Sequence, residues 1–530
     1  MKLKPNLSET KGLGSEVAMR VAGAVSLAVV LAFGGSAYAE EAAVDDGAPS
    51  LVTSKPMKPV TRTVEEMEAD EAAHPQAAAP AGEIPFRPTM DASDYEFEKG
   101  AAAAASKSAR PQPSSASLVP ATLKNVNCDG LSQAGLVPPD THGAIGHTHY
   151  VQIVNSAIRG YTRAGINGDV NIACGPPVLN TSLAAFFGYF AQTLFDPRVV
   201  YDHHYRRWIV TAEAFPESAT VQRHFVAVSK TANAAGAYFI YNLDVNFFNN
   251  TEFFDYPQLG FDADAVIITA NIFNPGYVGS RVISLSKSRI YNGLGVPFCF
   301  FFGGPLNNGT IAPPIVRDLG PETWLASAAP ADSKIRVTKW KNFGHVCPTF
   351  VATTDIPVAA YTVPADAPQP GTAETLDVLD SRFVNASTQI GNLLYNVHAI
   401  AFGPAAVRRY ILNVPAGTAS SSTFFSSAIS SDFNASIAVN DVLNEYITFS
   451  RSDTATFPQV RFAGKQSADA GFGLGTAFTS PTFLSGNGGR WGDYSAITID
   501  PTSTNTAWGV NEKANLNHTW GSRIFKIGIP

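Results

Sequence analysis

The chain has 530 residues: 45% are hydrophobic, 11% aromatic and only 15% charged, and 37 basic against 44 acidic residues give a net charge of −7. So little charge beside 43 Gly and 36 Pro excludes a coiled coil or helical bundle, and 34 Phe, 17 Tyr and 6 Trp exclude a mostly disordered chain. The acidic balance leaves no electrostatic footprint for nucleic acid, and the composition favours many short strands separated by turns.

In chain order, the first element reads as an export signal. Lys2, Lys4, Lys11 and Arg20 precede or open an apolar run over residues 21–33, and Ala37-Tyr38-Ala39 gives a small-x-small cleavage pattern. Residues 1–39 are therefore expected to be a signal peptide. The run is shorter than the ~20 apolar residues that span a bilayer. No comparable run follows, so the mature chain is expected to lack a transmembrane segment and to be secreted, periplasmic or held at the cell surface. Residues 40–117 are rich in Ala, Pro, Glu and Ser and read as a disordered linker. Residues 118–530 remain as the folded domain.

Cys128, Cys174, Cys299 and Cys347 all lie in the exported part. An even number in an oxidising compartment points to two disulfides. Three pairings are open; Cys128–Cys174 with Cys299–Cys347 closes the shortest loops. No CxxC spacing suggests metal ligation by cysteine.

The folded part carries an internal repeat. Segments that open on a polar turn residue, cross a short apolar stretch and close on Asp or Gly begin at Asp140, Asp196, Asp255, Pro313, Asn396, Asn434 and Asp493. The spacings are 56, 59, 58, 83, 38 and 59 residues, most of which suit one four-stranded unit with a generous loop. β-rich runs follow each opening, such as 208–211, 265–269 and 446–449. The first strand of each unit is apolar, as a strand buried on both faces should be. A single such sheet buries too little surface to stand alone, so the units must pack around an axis. The expected fold is all-β, a single seven-bladed β-propeller, with six or eight blades as alternatives. The Pro/Ala-rich stretch 355–371 reads as an inserted loop. Residues 118–127 are expected to add a strand to the last blade and close the ring, which would remove exposed sheet edges.

In a propeller the openings of the innermost strands gather around one mouth of the central channel. That places Asp140, Asp196, Asp255, Asn396, Asn434 and Asp493 together, with His142, Arg198, His398 and Tyr494 one or two positions further in. The second-strand ends add Glu213, Asn271 and Glu512. Carboxylates that converge repel one another, and a hard cation such as Ca²⁺ would hold them together through Asp140, Asp196, Asp255 and Asp493. Alternatively, His142, His398 or Tyr494 would exchange a proton with a sugar or uronate while Arg198 neutralises a carboxylate. Asp140, Asp196, Asp255, Trp491 and Asp493 are the candidate ligand-binding residues. Trp491 is either a stacking platform for a sugar or a plug between blades. The plain alternative is that Asp and Asn open strands because their side chains hydrogen-bond turn amides. No organic cofactor is implied.

Over roughly residues 135–528 the chain resembles the secreted bacterial β-propellers of the sialidase-like group. The resemblance rests on Pro138-Pro139-Asp140-Thr141-His142-Gly143, Asp196-Pro197-Arg198-Val199-Val200-Tyr201-Asp202, Asp255-Tyr256-Pro257 and Arg490-Trp491-Gly492-Asp493-Tyr494-Ser495. It implies the blade architecture. The Asp-box of true sialidases, Ser-x-Asp-x-Gly-x-Thr-Trp, does not occur, so sialidase catalysis is not carried over. The functional expectation is a monomeric exported propeller that binds an extracellular ligand, a glycan or cell-surface polymer, on its channel face. A glycoside hydrolase or polysaccharide lyase acting at the same face is one alternative. A structural surface protein that presents loops to other proteins is another.

Overall fold

Short apolar runs of β-branched and aromatic residues punctuated by turns fold as mainly antiparallel strands in the computed structural model. It describes residues 47–75, 82–108, 110–111, 121–133, 135–166, 173–320, 322–341 and 346–530. The expected signal peptide lies outside the described residues. Those described fall within one compact unit, Ala43–Pro530.

The strands nearest the axis are β1 (His142–Ile145), β2 (Leu194–Asp202), β3 (Phe253–Phe261), β4 (Pro314–Val316), β5 (Ser387–Ile390), β6 (Ser431–Val439) and β7 (Ala496–Ile499). Outward from β1, β2, β6 and β7, consecutive strands pair antiparallel. Their side chains are almost wholly buried on both faces. Cores form between neighbouring sheets: Val200, Ile209 and Val226 of one pack with Phe254, Leu259 and Ile268 of the next. The strand Thr122–Ser132 pairs with Trp520–Gly528 as the outermost strand of the last sheet, joining the two ends of the folded part. Cys128 is bonded to Cys174 and Cys299 to Cys347.

The all-β propeller class holds, but the blade count needs correction. Five blades stand as discrete sheets of four or five strands, and the remaining long strands belong to one ten-stranded sheet. The fusion has a local cause. Pro313-Pro314 interrupts what would be a single innermost strand. Thr310–Ala312 stays with its antiparallel partner Glu322–Ala328, while β4 pairs parallel with β3 on one side and β5 on the other. Proline has no amide to give to a ladder, so an antiparallel strand cannot run through the pair. Gly260 permits the approach, since a Cβ there would lie 2.4 Å from the Pro314 carbonyl oxygen. Ring closure is thus carried partly by hydrogen bonds along a continuous sheet.

The expected linker is also corrected. Residues 50–106 contain α1 (Val64–Ala73), α2 (Ala92–Ser106) and short strands that extend the sheets. Ser50–Thr53 pairs with Cys299–Phe302, and Val60–Arg62 with Tyr238–Asp244. Thr63 and Glu66 form a reciprocal capping box at the start of α1, and Asp91 caps α2. The alanine run 101–105 is helical because alanine is the best helix former. The insertion begins later than expected: Asp355 lies inside the strand Thr349–Tyr361, and residues 362–386 form the loop. Among the described residues no helix is long and apolar enough to cross a membrane.

Candidate functional site

The repeat openings are built on a shared backbone device. Asp140, Asp196 and Asn434 have φ of 47°, 48° and 50°, and the pairing register shifts between Phe195 and Arg198 and between Phe433 and Ser436. Asp and Asn tolerate this left-handed region better than other non-glycine residues. The third opening moves the device one residue on, to Tyr256 at φ 56°. A bulky aromatic there is held only when its surroundings fix it. The Tyr256 hydroxyl donates to the Asp493 carbonyl at 3.2 Å, and Arg382 stacks on its ring at 4.5 Å.

These bulges turn the opening side chains toward one end of the channel, where side-chain bonds link them. Asn155 donates to Asp140 at 2.6 Å and accepts from the Asp196 amide at 2.8 Å. Asp140 in turn accepts from the Asp493 amide at 2.6 Å. Arg490 bridges Asp493 and Asp377. Glu512 accepts from the Gly492 amide at 2.5 Å, and Asn434 donates to the Gly492 and Tyr494 carbonyls.

Within this polar end, Asp196 of β2, Glu213 of the strand Arg207–Ala214 and Asp255 of β3 converge. One carboxylate oxygen from each lies within 4.8 Å of the others, and all three residues are buried. Neither Glu213 oxygen has a hydrogen-bond partner. Burial, then Asp196 and Asp255, push the Glu213 carboxyl well above the usual range; Arg87 and the nearby Tyr256 amide pull it partly back. Asp196 is raised well above normal by burial and by Asp140 and Asp255. Burial raises Asp255 too, against the pull of Arg87, whose Nη1 donates to it at 2.9 Å. Asp493 is pushed up to about 8, chiefly by burial, and Glu512 well above its usual value. Burial and mutual repulsion thus favour the protonated forms of these carboxyls. The set can hold a divalent cation, because a hard cation accepts several carboxylate oxygens at this spacing.

The axis beside this cluster carries a second polar knot. The Asn385 side chain accepts from Arg198 (3.4 Å), faces His142 Nε2 (3.2 Å) and donates to the Ser436 hydroxyl and the Ser495 carbonyl. Arg198 stacks on Tyr494 at 3.3 Å and donates to the Pro257 and Val384 carbonyls. Burial and Arg198 hold His142 at about 3, so its imidazole is neutral at neutral pH.

The structure thus brings together Asp140, Asp196, Asp255, Asp493, His142, Arg198 and Tyr494. His398 is a correction: it lies between Tyr361, Phe383 and Tyr410, bonded to the Ser381 carbonyl and the Tyr410 hydroxyl, away from the carboxylates. Its neighbour Asn396 is on the second strand of its sheet, Leu393–Ala401, and so does not open an innermost strand. The metal set also changes. Asp196 and Asp255 meet Glu213, whereas Asp140 and Asp493 are tied to Asn155 and Arg490. Trp491 is 1% exposed and donates to the Ser450 hydroxyl, which makes it a plug between blades and not a stacking platform. Arg87, Arg382 and Asn385 were missed. A lone Phe86-Arg87 pair in an Ala/Pro-rich stretch was the one signal for the first; the other two sit in an insertion without periodicity.

No family model and no curated protein matches the chain. Among solved structures it is similar to an exo-β-1,3-galactanase from Phanerochaete chrysosporium, at 12% identity and a TM-score of 0.32, covering 78% of this chain and 100% of that one. A putative exo-β-1,3-galactanase from Bifidobacterium bifidum has 10% identity and a TM-score of 0.28, covering 57% and 97%. The WD40 domain of SCAP from fission yeast has 9% identity and a TM-score of 0.31, covering 72% and 82%. The resemblance to the sialidase-like group is corrected on the fold itself: five discrete blade sheets and one ten-stranded sheet depart from a ring of uniform blades. At such scores the activity must be argued from this chain's own residues.

Proposed function

We propose that this chain is an exported carbohydrate-active propeller, a glycoside hydrolase whose working groups are the buried carboxylates at the Asp-rich end of the channel. The observation that carries the reading is the trio Asp196, Glu213 and Asp255. Glycosidic cleavage needs one carboxyl that keeps its proton and a second carboxylate across the scissile bond. Glu213 is the general acid in this reading, because two acidic neighbours and complete burial favour its protonated form. Asp255, which Arg87 steadies in its charged form, is the second carboxylate. A span of no more than 4.8 Å is closer to the ~5–5.5 Å of retaining enzymes than to the ~6.5–9.5 Å that leaves room for a water. Hydrolysis with retention of anomeric configuration is therefore expected.

The test is reducing-end release from a panel of neutral and acidic polysaccharides, with nuclear magnetic resonance reading the anomer first formed. Cleavage lost in Glu213→Gln supports the assignment; cleavage unchanged in that variant sinks it.

The same trio favours a second reading. Three convergent carboxylates are a ligand set for Ca²⁺, and the propeller would then bind a glycan without cleaving it. A chelator that abolishes glycan binding, in a protein that releases no reducing ends, selects this reading over the first.

A further inference from the structure

The carboxylate end is not open. Residues 82–108 run across it from one sheet to another, with Arg110 beyond them. Gly82–Glu83 adds in parallel to Leu136–Val137, and the Ile84 amide continues the ladder to the Val137 carbonyl at 2.7 Å. Arg87 then reaches Asp255 and stacks over Phe253 at 4.3 Å. Thr89 bonds Asp380 through both its amide and its hydroxyl, at 2.9 and 3.0 Å. Lys99 of α2 meets Asp366 at 2.5 Å. Arg110 ends the crossing, bonded to the Phe402, Pro404, Ala405, Ser427 and Ser430 carbonyls and 3.6 Å from Asp432.

The segment holds four basic residues, Arg87, Lys99, Lys107 and Arg110, and three of them pair with acids of the propeller or its insertion. The match of charge follows the path of the crossing. A spacer has no need of it. Arg87 is the member that matters for chemistry, since its guanidinium hydrogen-bonds one carboxylate of the buried trio.

From this we infer that residues 82–108, with the anchor Arg110, are a built-in strap that keeps the carboxylate site shut, with Arg87 standing where a cation or a bound sugar would compete for Asp255. The inference rests on the reading of that end as the working site. It adds that the chain as it stands is a latent form, and that release of the strap precedes access.

The test uses the full chain and a variant, Arg87→Ala/Thr89→Val, that removes the Arg87 anchor and the hydroxyl half of the Thr89 anchor. Carbodiimide-driven amidation with glycine ethyl ester, followed by peptide mass spectrometry, reads the accessibility of Asp255 and Glu213. At least a tenfold rise in their labelling is expected in the variant, with Asp202 and Asp500 unlabelled as internal controls of folding. Hydrogen exchange should accelerate over residues 84–91. Arg87→Lys, which keeps the cation, should label like the parent. Equal labelling of Asp255 in the parent and the double variant overturns the strap, as does a parent that labels at the variant's rate. Hydrolysis is scored separately: increased labelling without any cleavage leaves the strap standing and removes the hydrolase reading.

Discussion

The two ends of the innermost strands present the same residue type in opposite electrostatic settings. The repeat opens on Asp140, Asp196, Asp255 and Asp493 and closes on Asp202, Asp262 and Asp500. At the closing end each carboxylate is fully partnered. Asp202 accepts from Lys287 at 2.5 Å and Tyr291 at 2.7 Å, and Asp262 from Thr323 at 2.6 Å and two turn amides. Asp500 takes both arms of Arg163 and the Trp508 indole. Burial works against the Asp202 charge, but Lys287 outweighs it and the carboxyl is lowered. At the opening end the acids crowd one another and are raised. The closing end staples blades together. The opening end holds Glu213 with neither carboxylate oxygen hydrogen-bonded, which a purely structural turn would avoid.

Substitutions separate these roles. In the strap-released protein, Glu213→Gln is expected to cut hydrolysis by ~10²–10⁴-fold, the usual value of a positioned proton donor. Its melting temperature at neutral pH should not fall, because the carboxyl has no hydrogen-bond partner to lose. Asp202→Ala should do the reverse. It strands Lys287, 3% exposed, and should cost about 3–5 kcal/mol in denaturant unfolding while turnover per folded molecule stays unchanged. A stable Asp202→Ala protein would erase the contrast between the ends.

Calcium sharpens the comparison at the next level. If the trio holds the ion, Ca²⁺ at a hundredfold excess over its dissociation constant raises stability by about 2.7 kcal/mol, and Asp255→Asn removes most of that gain. Calorimetry with and without chelator reads it directly. An identical melting temperature in both removes the cation from the account.

Acidity acts with opposite signs at the two ends. Burial alone would raise Asp500, but bonds from Arg163, Thr502 and Trp508 hold it at about 2. Its contribution is present above the ordinary 3.8 and is lost as pH falls through about 2. Asp493, held at about 8, keeps a proton in the fold that the unfolded chain releases near 3.8, so its contribution is lost as pH rises between those values. Asp500→Asn should flatten the fall of a melting-temperature profile below pH 3.8, and Asp493→Asn the decline between pH 3.8 and about 8.

How much of this was legible in the sequence depends on the length scale of the signal. A repeat of nearly sixty residues, with apolar first strands, carries the propeller class, because each unit must bury its faces on the next. The Asp and Asn openings are legible for the same reason: a left-handed bulge recurs, and few residues tolerate it. Glu213 and Glu512 follow from counting one strand further. The fused sheet was hidden, since Pro313-Pro314 looks like a weak repeat when it in fact redirects a strand. The strap was hidden by composition. Alanine and proline suggest a spacer, yet a capped alanine run is a helix, and Arg87 finds its partner 168 positions away. Asn385 sits in an insertion, where no periodicity marks the residue that ties together the axis.

The most direct measurement compares reducing-end release by the strap-released Arg87→Ala/Thr89→Val protein with release by the same protein carrying Glu213→Gln. Cleavage that appears in the first and falls at least a hundredfold in the second is the predicted result. Equal cleavage by the two proteins, or none from either across the panel, contradicts the assignment of hydrolysis to the carboxylate end of the channel.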